Sequence, residues 1–195
     1  MSTGRTARKP HSRAQRAARG PFADALQIGQ RPPQVADRAV PGHWEGDLIV
    51  GAGTRSAIGT LVERSTRFVI LLHLPGPRTA EAVADAMIAQ MSDLPAHLRR
   101  SITWDRGSEM AAYDRIQLDL QAPVYFADPY SPWQRGSNEN TNRLLRFWFT
   151  KGSDLSTWTN DDIRRVQDTL NARPRPTLDL RTPAQALNDY LTTAA

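Results

Sequence analysis

The chain has 195 residues, 39% of them hydrophobic, enough for one globular domain with a real core. It has no cysteine, which excludes disulfide staples, thiolate zinc sites and cysteine nucleophiles, and it has no apolar run near the roughly 18 residues of a membrane span. The net charge of +5 is unevenly placed: six of the 25 basic residues (Arg5, Arg8, Lys9, Arg13, Arg16 and Arg19) precede the first acid, Asp24, leaving 19 basic against 20 acidic residues beyond them.

Residues 1–41 therefore read as a basic tail and linker, punctuated by Pro32-Pro33 and Pro41 and packing on the core near Phe22 to Ile28. The segment has no apolar stretch behind it, so it is not a secretory signal, and the chain reads as cytoplasmic. Its charge suits phosphate backbones through counterion release, and it equally suits a solvated leader. The domain proper is expected over 42–195, with regular structure from His43.

Trp44 to Val50 alternates as a strand, with Trp44, Leu48 and Val50 on one face and Glu45 and Asp47 on the other. Ser56 to Arg64 and Arg67 to Leu74 make two more strands, giving an antiparallel meander. Thr79 is placed to cap a helix running through Ala82, Val83, Ala86, Met87 and Met91. Ile102 to Asp105 is a short buried strand, Met110 to Leu120 a helix and Val124 to Ala127 another strand. Tyr130 to Ser137 is a loop, and a helix capped by Ser137 is predicted from Asn138 to about Phe149. Helices over 161–171 and 183–191 close the chain. Three strands, helix, strand, helix, strand, helix is the order of an α/β domain of the ribonuclease-H-like kind, with a mixed five-stranded sheet flanked by helices. Fold alone does not fix function.

Three acids stand out on three elements. Asp47 interrupts an apolar strand, where aspartate is disfavoured, although an edge strand would tolerate it facing solvent. Asp105 ends a buried strand before a glycine turn, which is also where a turn-initiating aspartate belongs. Glu139 sits in the first turn of its helix, where the helix dipole favours a carboxylate regardless of chemistry. At about 100° per residue, Glu139 shares a face with Asn142, Arg143 and Arg146, opposite Leu144, Leu145 and Trp148. Arg143 could simply pair with Glu139 one turn away. In the proposed fold the first and fourth strands are neighbours, and three converging carboxylates require a cation. Hard oxygen donors suit Mg²⁺ or Mn²⁺, and two such ions are the usual device for in-line displacement at a phosphodiester.

The stretches Gly42-His43-Trp44-Glu45-Gly46-Asp47, Ser56-Ala57-Ile58-Gly59-Thr60-Leu61-Val62-Glu63-Arg64 and Asp128-Pro129-Tyr130-Ser131-Pro132-Trp133-Gln134-Arg135-Gly136-Ser137-Asn138-Glu139-Asn140-Thr141-Asn142 closely resemble the insertion sequence 30 family of bacterial transposases. The resemblance covers roughly residues 30–190, and the 33 residues between Asp105 and Glu139 match the spacing of that superfamily. It implies a retroviral-integrase-like catalytic core in which Asp47, Asp105 and Glu139 are the catalytic triad and hold two Mg²⁺ or Mn²⁺ ions. It implies hydrolysis at the ends of a mobile element and transfer of the freed 3′-OH into target DNA. Trp133, Gln134 and Arg135 would belong to a loop that positions DNA, with a buried loop anchor as the other reading of Trp133. Arg143 and Arg146 would be phosphate contacts or an ordinary solvated face. The partners implied are DNA, a second copy of the chain or a full-length transposase, in the bacterial cytoplasm.

Members of the family carry a helix-turn-helix domain ahead of the core, for which the first 40 residues leave no room. Arg106 stands where a small amide is expected, and Arg143, Phe147, Trp148 and Thr150 are atypical of the motif. Two alternatives follow: a truncated remnant that binds DNA or full-length transposase without catalysis, and a ribonuclease-H-like nuclease that cuts without joining.

Overall fold

Two apolar faces on one set of strands require helices on both sides of a sheet, and that is the architecture found in the computed structural model, which describes residues 22–35 and 38–193. The strands are β1 (Leu26–Gln27), β2 (His43–Val50), β3 (Ala57–Glu63), β4 (Val69–Leu74), β5 (Ser101–Trp104) and β6 (Val124–Phe126). The helices are α1 (Ala80–Met91), α2 (Tyr113–Leu120), α3 (Gly136–Leu145), α4 (Asn160–Asn171) and α5 (Pro183–Thr193). The strand order is β1-β6-β5-β2-β3-β4. The meander β2-β3-β4 is antiparallel, whereas β5 joins β2, β6 joins β5 and β1 joins β6 in parallel. The first two long-range expectations hold: the meander forms, and β2 neighbours β5 through His43–Ser101, Trp44–Ile102 and Glu45–Thr103.

One core lies between the sheet and helices α1 and α2. It contains Trp44, Leu61, Leu72, Met87, Ile102, Trp104, Ile116 and Phe126. The other lies beneath α3 and α4 and contains Ile49, Ile58, Val62, Leu71, Leu145, Ile163, Val166 and Leu170. Because both faces are covered, β3 and the short parallel strands β5 and β6 are buried along their whole length, even where β5 carries Ser101 and Thr103. The helix ends are specified locally. Thr79 accepts the Ala82 N–H at α1, and Thr159 and Asp162 form a reciprocal capping box at α4.

The sheet has six strands where five were expected. The additional strand, β1, is two residues long, too short for any periodicity, and is held by pairing with β6 about a hundred residues away. Phe22 anchors it from below, its ring centroid 4.9 Å from that of Phe126 and 5.9 Å from that of Tyr113. The expected packing of 22–28 on the core is thus present and extends to the sheet itself. The six basic residues ahead of Asp24 lie outside the described residues. Helix α3 also differs, starting two residues before Asn138 and ending at Leu145 rather than Phe149. Among the described residues no helix is long and apolar enough to cross a membrane.

Candidate active site

Strand β2 delivers two acids to the side of the sheet that α3 covers. Between them, Gly46 lies flush against the indole of Trp104, where an added Cβ would fall 1.9 Å from a ring carbon. Only glycine lets β2 approach β5 this closely, and the approach brings Asp47 near Asp105, the residue that follows β5.

Asp47 and Asp105 meet on one guanidinium. Arg135 Nη2 lies 3.1 Å from Asp105 Oδ2, Nη1 lies 3.6 Å from Asp47 Oδ1, and Nη1 also donates to the Gly46 carbonyl at 3.1 Å. Asp47 accepts further hydrogen bonds from its neighbour, the Leu48 N–H at 2.9 Å, and from Asn142 Nδ2 at 2.9 Å. Burial raises the Asp47 carboxyl above its ordinary value, against the pull of Arg135 and the Leu48 N–H, and the nearby Asp105 charge pushes it further the same way.

Glu45, two residues before Asp47, is wholly buried. Arg64 Nε lies 2.8 Å from its Oε1, while its Oε2 accepts the backbone N–H groups of Ser137 at 2.9 Å and Asn138 at 3.2 Å. The cap of α3 is therefore a distant carboxylate, not the expected Ser137 side chain, whose hydroxyl instead accepts from Arg67 Nη1 at 2.6 Å. A buried anion satisfies the free amides at the helix start better than a neutral hydroxyl does. Asn138 adds a second tie, its Oδ1 accepting from Thr60 Oγ1 at 2.8 Å.

Glu139 follows on the exposed side of the first turn of α3. It lies four residues after Arg135 and three before Asn142, both of which touch Asp47, so it occupies the helix face that addresses Asp47. Its carboxylate makes no hydrogen bond or ion pair among the described residues, and Arg143 donates to Asn140 at 3.1 Å rather than pairing with it. The structure thus brings Asp47 and Asp105 together, with Glu139 on the adjoining face and outside their contact. Among the described residues no three acidic or histidine side chains stand close enough to enclose an ion as they are.

The loop ahead of α3 is closed by Gln134. Its Oε1 accepts the Asp128 N–H and its Nε2 donates to Asp128 Oδ2, both at 2.9 Å. Trp133 is 73% exposed and Tyr130 97% exposed, which excludes the buried-anchor reading of Trp133. The loop walls a cleft of about 330 Å³ that includes Asp105, Arg106, Tyr130 and Arg135. Arg143 on α3 and Arg146 just past its end are exposed, while Arg135 is held among the carboxylates. The sequence reading missed Glu45. The available signal was its position on the Asp47 face, in a strand whose neighbours are apolar.

Residues 37–132 match the integrase core domain. The transposase for insertion sequence element IS1086 of Cupriavidus metallidurans is 46% identical over 191 residues, 98% of this chain and 56% of that protein. The chain belongs to the insertion-sequence transposases built on an integrase core. Transposase InsI for insertion sequence element IS30C of Escherichia coli K12 is 42% identical over 160 residues, 82% of this chain and 41% of its own length. This transposase core therefore spans about half the length of these curated relatives. One chain in the structure of a simian T-cell lymphotropic virus intasome in complex with PP2A regulatory subunit B56 gamma superposes with a TM-score of 0.60, covering 75% of this chain and 54% of that one. At 19% identity this likeness speaks for the fold, which is ribonuclease-H-like.

Proposed function

We propose that the chain is the catalytic core of a DNA transposase, cleaving the phosphodiester at an element end with water and passing the freed 3′-OH to target DNA, with Asp47, Asp105 and Glu139 as its catalytic residues. The observation that carries this reading is the meeting of Asp47 and Asp105 on Arg135, with Glu139 one helical turn away on the same side. A guanidinium already stands where two carboxylates demand positive charge, and the donor set is hard oxygen throughout, so the residues fit Mg²⁺ or Mn²⁺ held by Asp47, Asp105 and Glu139. Two such ions, when bound, supply charge for the entering and departing oxygens of an in-line displacement.

The protein's own part is positional. Glu45 fixes the start of α3 against β2, so Glu139 and Asp47 are set from one rigid joint. Asn142 aims Asp47 by holding Oδ2, which leaves Oδ1 toward Arg135. Trp133 and Tyr130 offer exposed rings on which unpaired bases can stack, and Arg143 and Arg146 face solvent as phosphate contacts. Hydrolysis forms one P–O bond to the oxygen of water as the P–O3′ bond breaks, freeing a 3′-OH and leaving a 5′-phosphate on the other strand end. Strand transfer then forms one P–O bond as the target's P–O3′ bond breaks, so the second step conserves the number of phosphodiesters. A second copy of the chain or a full-length transposase would serve the other element end.

The test uses purified protein, a labelled duplex carrying the IS1086 terminal repeats, and a supercoiled target plasmid with Mg²⁺ or Mn²⁺. Cleavage and joined product that depend on metal and disappear in Asp47→Asn, Asp105→Asn and Glu139→Gln support the reading. Product surviving any of these substitutions, or a folded wild type that neither cuts nor joins, rejects it.

A further inference from the structure

On the other flank of α3 from Asp47 lies a cavity of about 150 Å³ lined by Arg38, Arg67, Arg175, Ser137, Thr141 and Thr177. The three arginines come from separate parts of the chain: Arg38 precedes β2, Arg67 sits in the β3–β4 turn, and Arg175 follows α4. Among the described residues none of the three is in ion-pair distance of a carboxylate. The nearby acids are already engaged. Glu45 is taken by Arg64, Ser137 and Asn138, and Glu63 by the N–H groups of Gly42, Ser65 and Thr66. Among the described residues Arg175 Nε is buried without a hydrogen-bond partner, and its Nη2 reaches the Leu170 carbonyl at 3.4 Å. Burial lowers the Arg67 guanidinium from its ordinary value, and the Arg38 charge lowers it further, against a partial offset from the Glu45 and Glu63 charges. Arg38 and Arg67 also hold φ values of 60° and 61°, a backbone region that residues with side chains rarely adopt.

Three converging cations with hydroxyl groups beside them match a tetrahedral oxyanion. Among the described residues no aromatic side chain lines the cavity to stack a base, and recognition would be of backbone alone. The amides at the start of α3 are capped by Glu45, so the guanidinium groups provide the attraction. We propose that this cavity binds one backbone phosphodiester of DNA, away from the linkage that reacts. Ser137, Asn140 and Thr141 project from the side of α3 roughly opposite Glu139 and Asn142, so a phosphate seated here cannot be the one facing Asp47. It is an anchor that fixes where the strand enters the site. The inference rests on DNA being the substrate.

The experiment compares the wild type with an Arg38→Gln/Arg175→Gln double variant, which leaves the Arg67–Ser137 bond intact. Binding of a labelled duplex is followed by fluorescence anisotropy over a salt series. One lost phosphate contact lowers the magnitude of the log–log salt slope by about 0.9, and the low-salt affinity falls about tenfold with the melting temperature unchanged. Identical slopes and affinities overturn the proposal, as does a wild type that does not bind the duplex. Inorganic phosphate is the second probe. If it raises the melting temperature of the wild type only, while the DNA slopes coincide, the cavity takes free phosphate and the DNA assignment is overturned. Duplex binding with the lower slope but no metal-dependent cleavage would sink the catalytic reading and leave the phosphate site standing. Cleavage with an unchanged slope would do the reverse.

Discussion

The Ser137 backbone N–H donates to the Glu45 carboxylate at 2.9 Å, which joins β2 to α3 two residues from Asp47 on one side and two from Glu139 on the other. The same carboxylate carries the buried contact with Arg64, so strand, helix and β3 end meet at one anion. Removing only its charge leaves Arg64 buried and unpaired. Glu45→Gln is expected to lose about 3–5 kcal/mol of unfolding free energy, the range for breaking a buried pair. Urea denaturation measures it. Adding Arg64→Met should recover part of the loss, because the stranded charge goes with it, and strictly additive losses would show that the two side chains are not coupled.

Arg135 acts on the carboxylates as a tethered cation. It offsets the repulsion between Asp47 and Asp105, and a divalent ion held by the same oxygens, as proposed, would have to displace it. Arg135→Gln should therefore melt lower than the wild type in chelator and bind Mn²⁺ about twofold to fivefold more tightly by calorimetry, the factor expected for a partly exposed ion pair. Weaker Mn²⁺ binding would make Arg135 an organiser of the site rather than its competitor.

The alternation from Trp44 to Val50 was enough to place Asp47, and the short segments ending at Asp105 and Ala127 were enough to place the two parallel strands, because each rests on local pattern. What local pattern cannot reveal is a partner far along the chain. The cap of α3 was misread since Ser137 has the chemistry of an N-cap, while the group that fills the role is 92 residues earlier. Strand β1 escaped for the same reason, having two residues and a partner near residue 125. The arginine cavity needs the β3–β4 turn and the segment after α4 to be neighbours, a relation visible only in the folded chain.

The upward shift of the Asp47 carboxyl carries a sign for stability. A carboxyl raised on folding binds its proton more tightly in the folded state, so stability falls as pH rises from the ordinary carboxylate range through the raised value. Above that window the ionised side chain is a burden on the metal-free fold. Asp47→Asn should then melt higher than the wild type at neutral pH in chelator, with the gap closing as pH drops below the ordinary aspartate value. Thermal melts across pH measure both. A variant that melts lower at neutral pH would mean that Arg135 and Asn142 outweigh burial at this position.

Trp133 supplies the last test, because its exposure separates binding from folding. At 73% exposed it contributes little to the core, so Trp133→Ala should leave the melting temperature within a degree or so of wild type, as surface substitutions do. If bases stack on the ring, the affinity for a single-stranded or forked DNA should fall by about 1–3 kcal/mol, the range for losing one base–aromatic contact. The loss should be smaller on a fully paired duplex, whose bases are already stacked on one another. Anisotropy titrations on forked and blunt DNA make the comparison at one salt concentration. Equal losses on both would assign Trp133 to backbone contact, and no loss on either would remove it from the DNA surface.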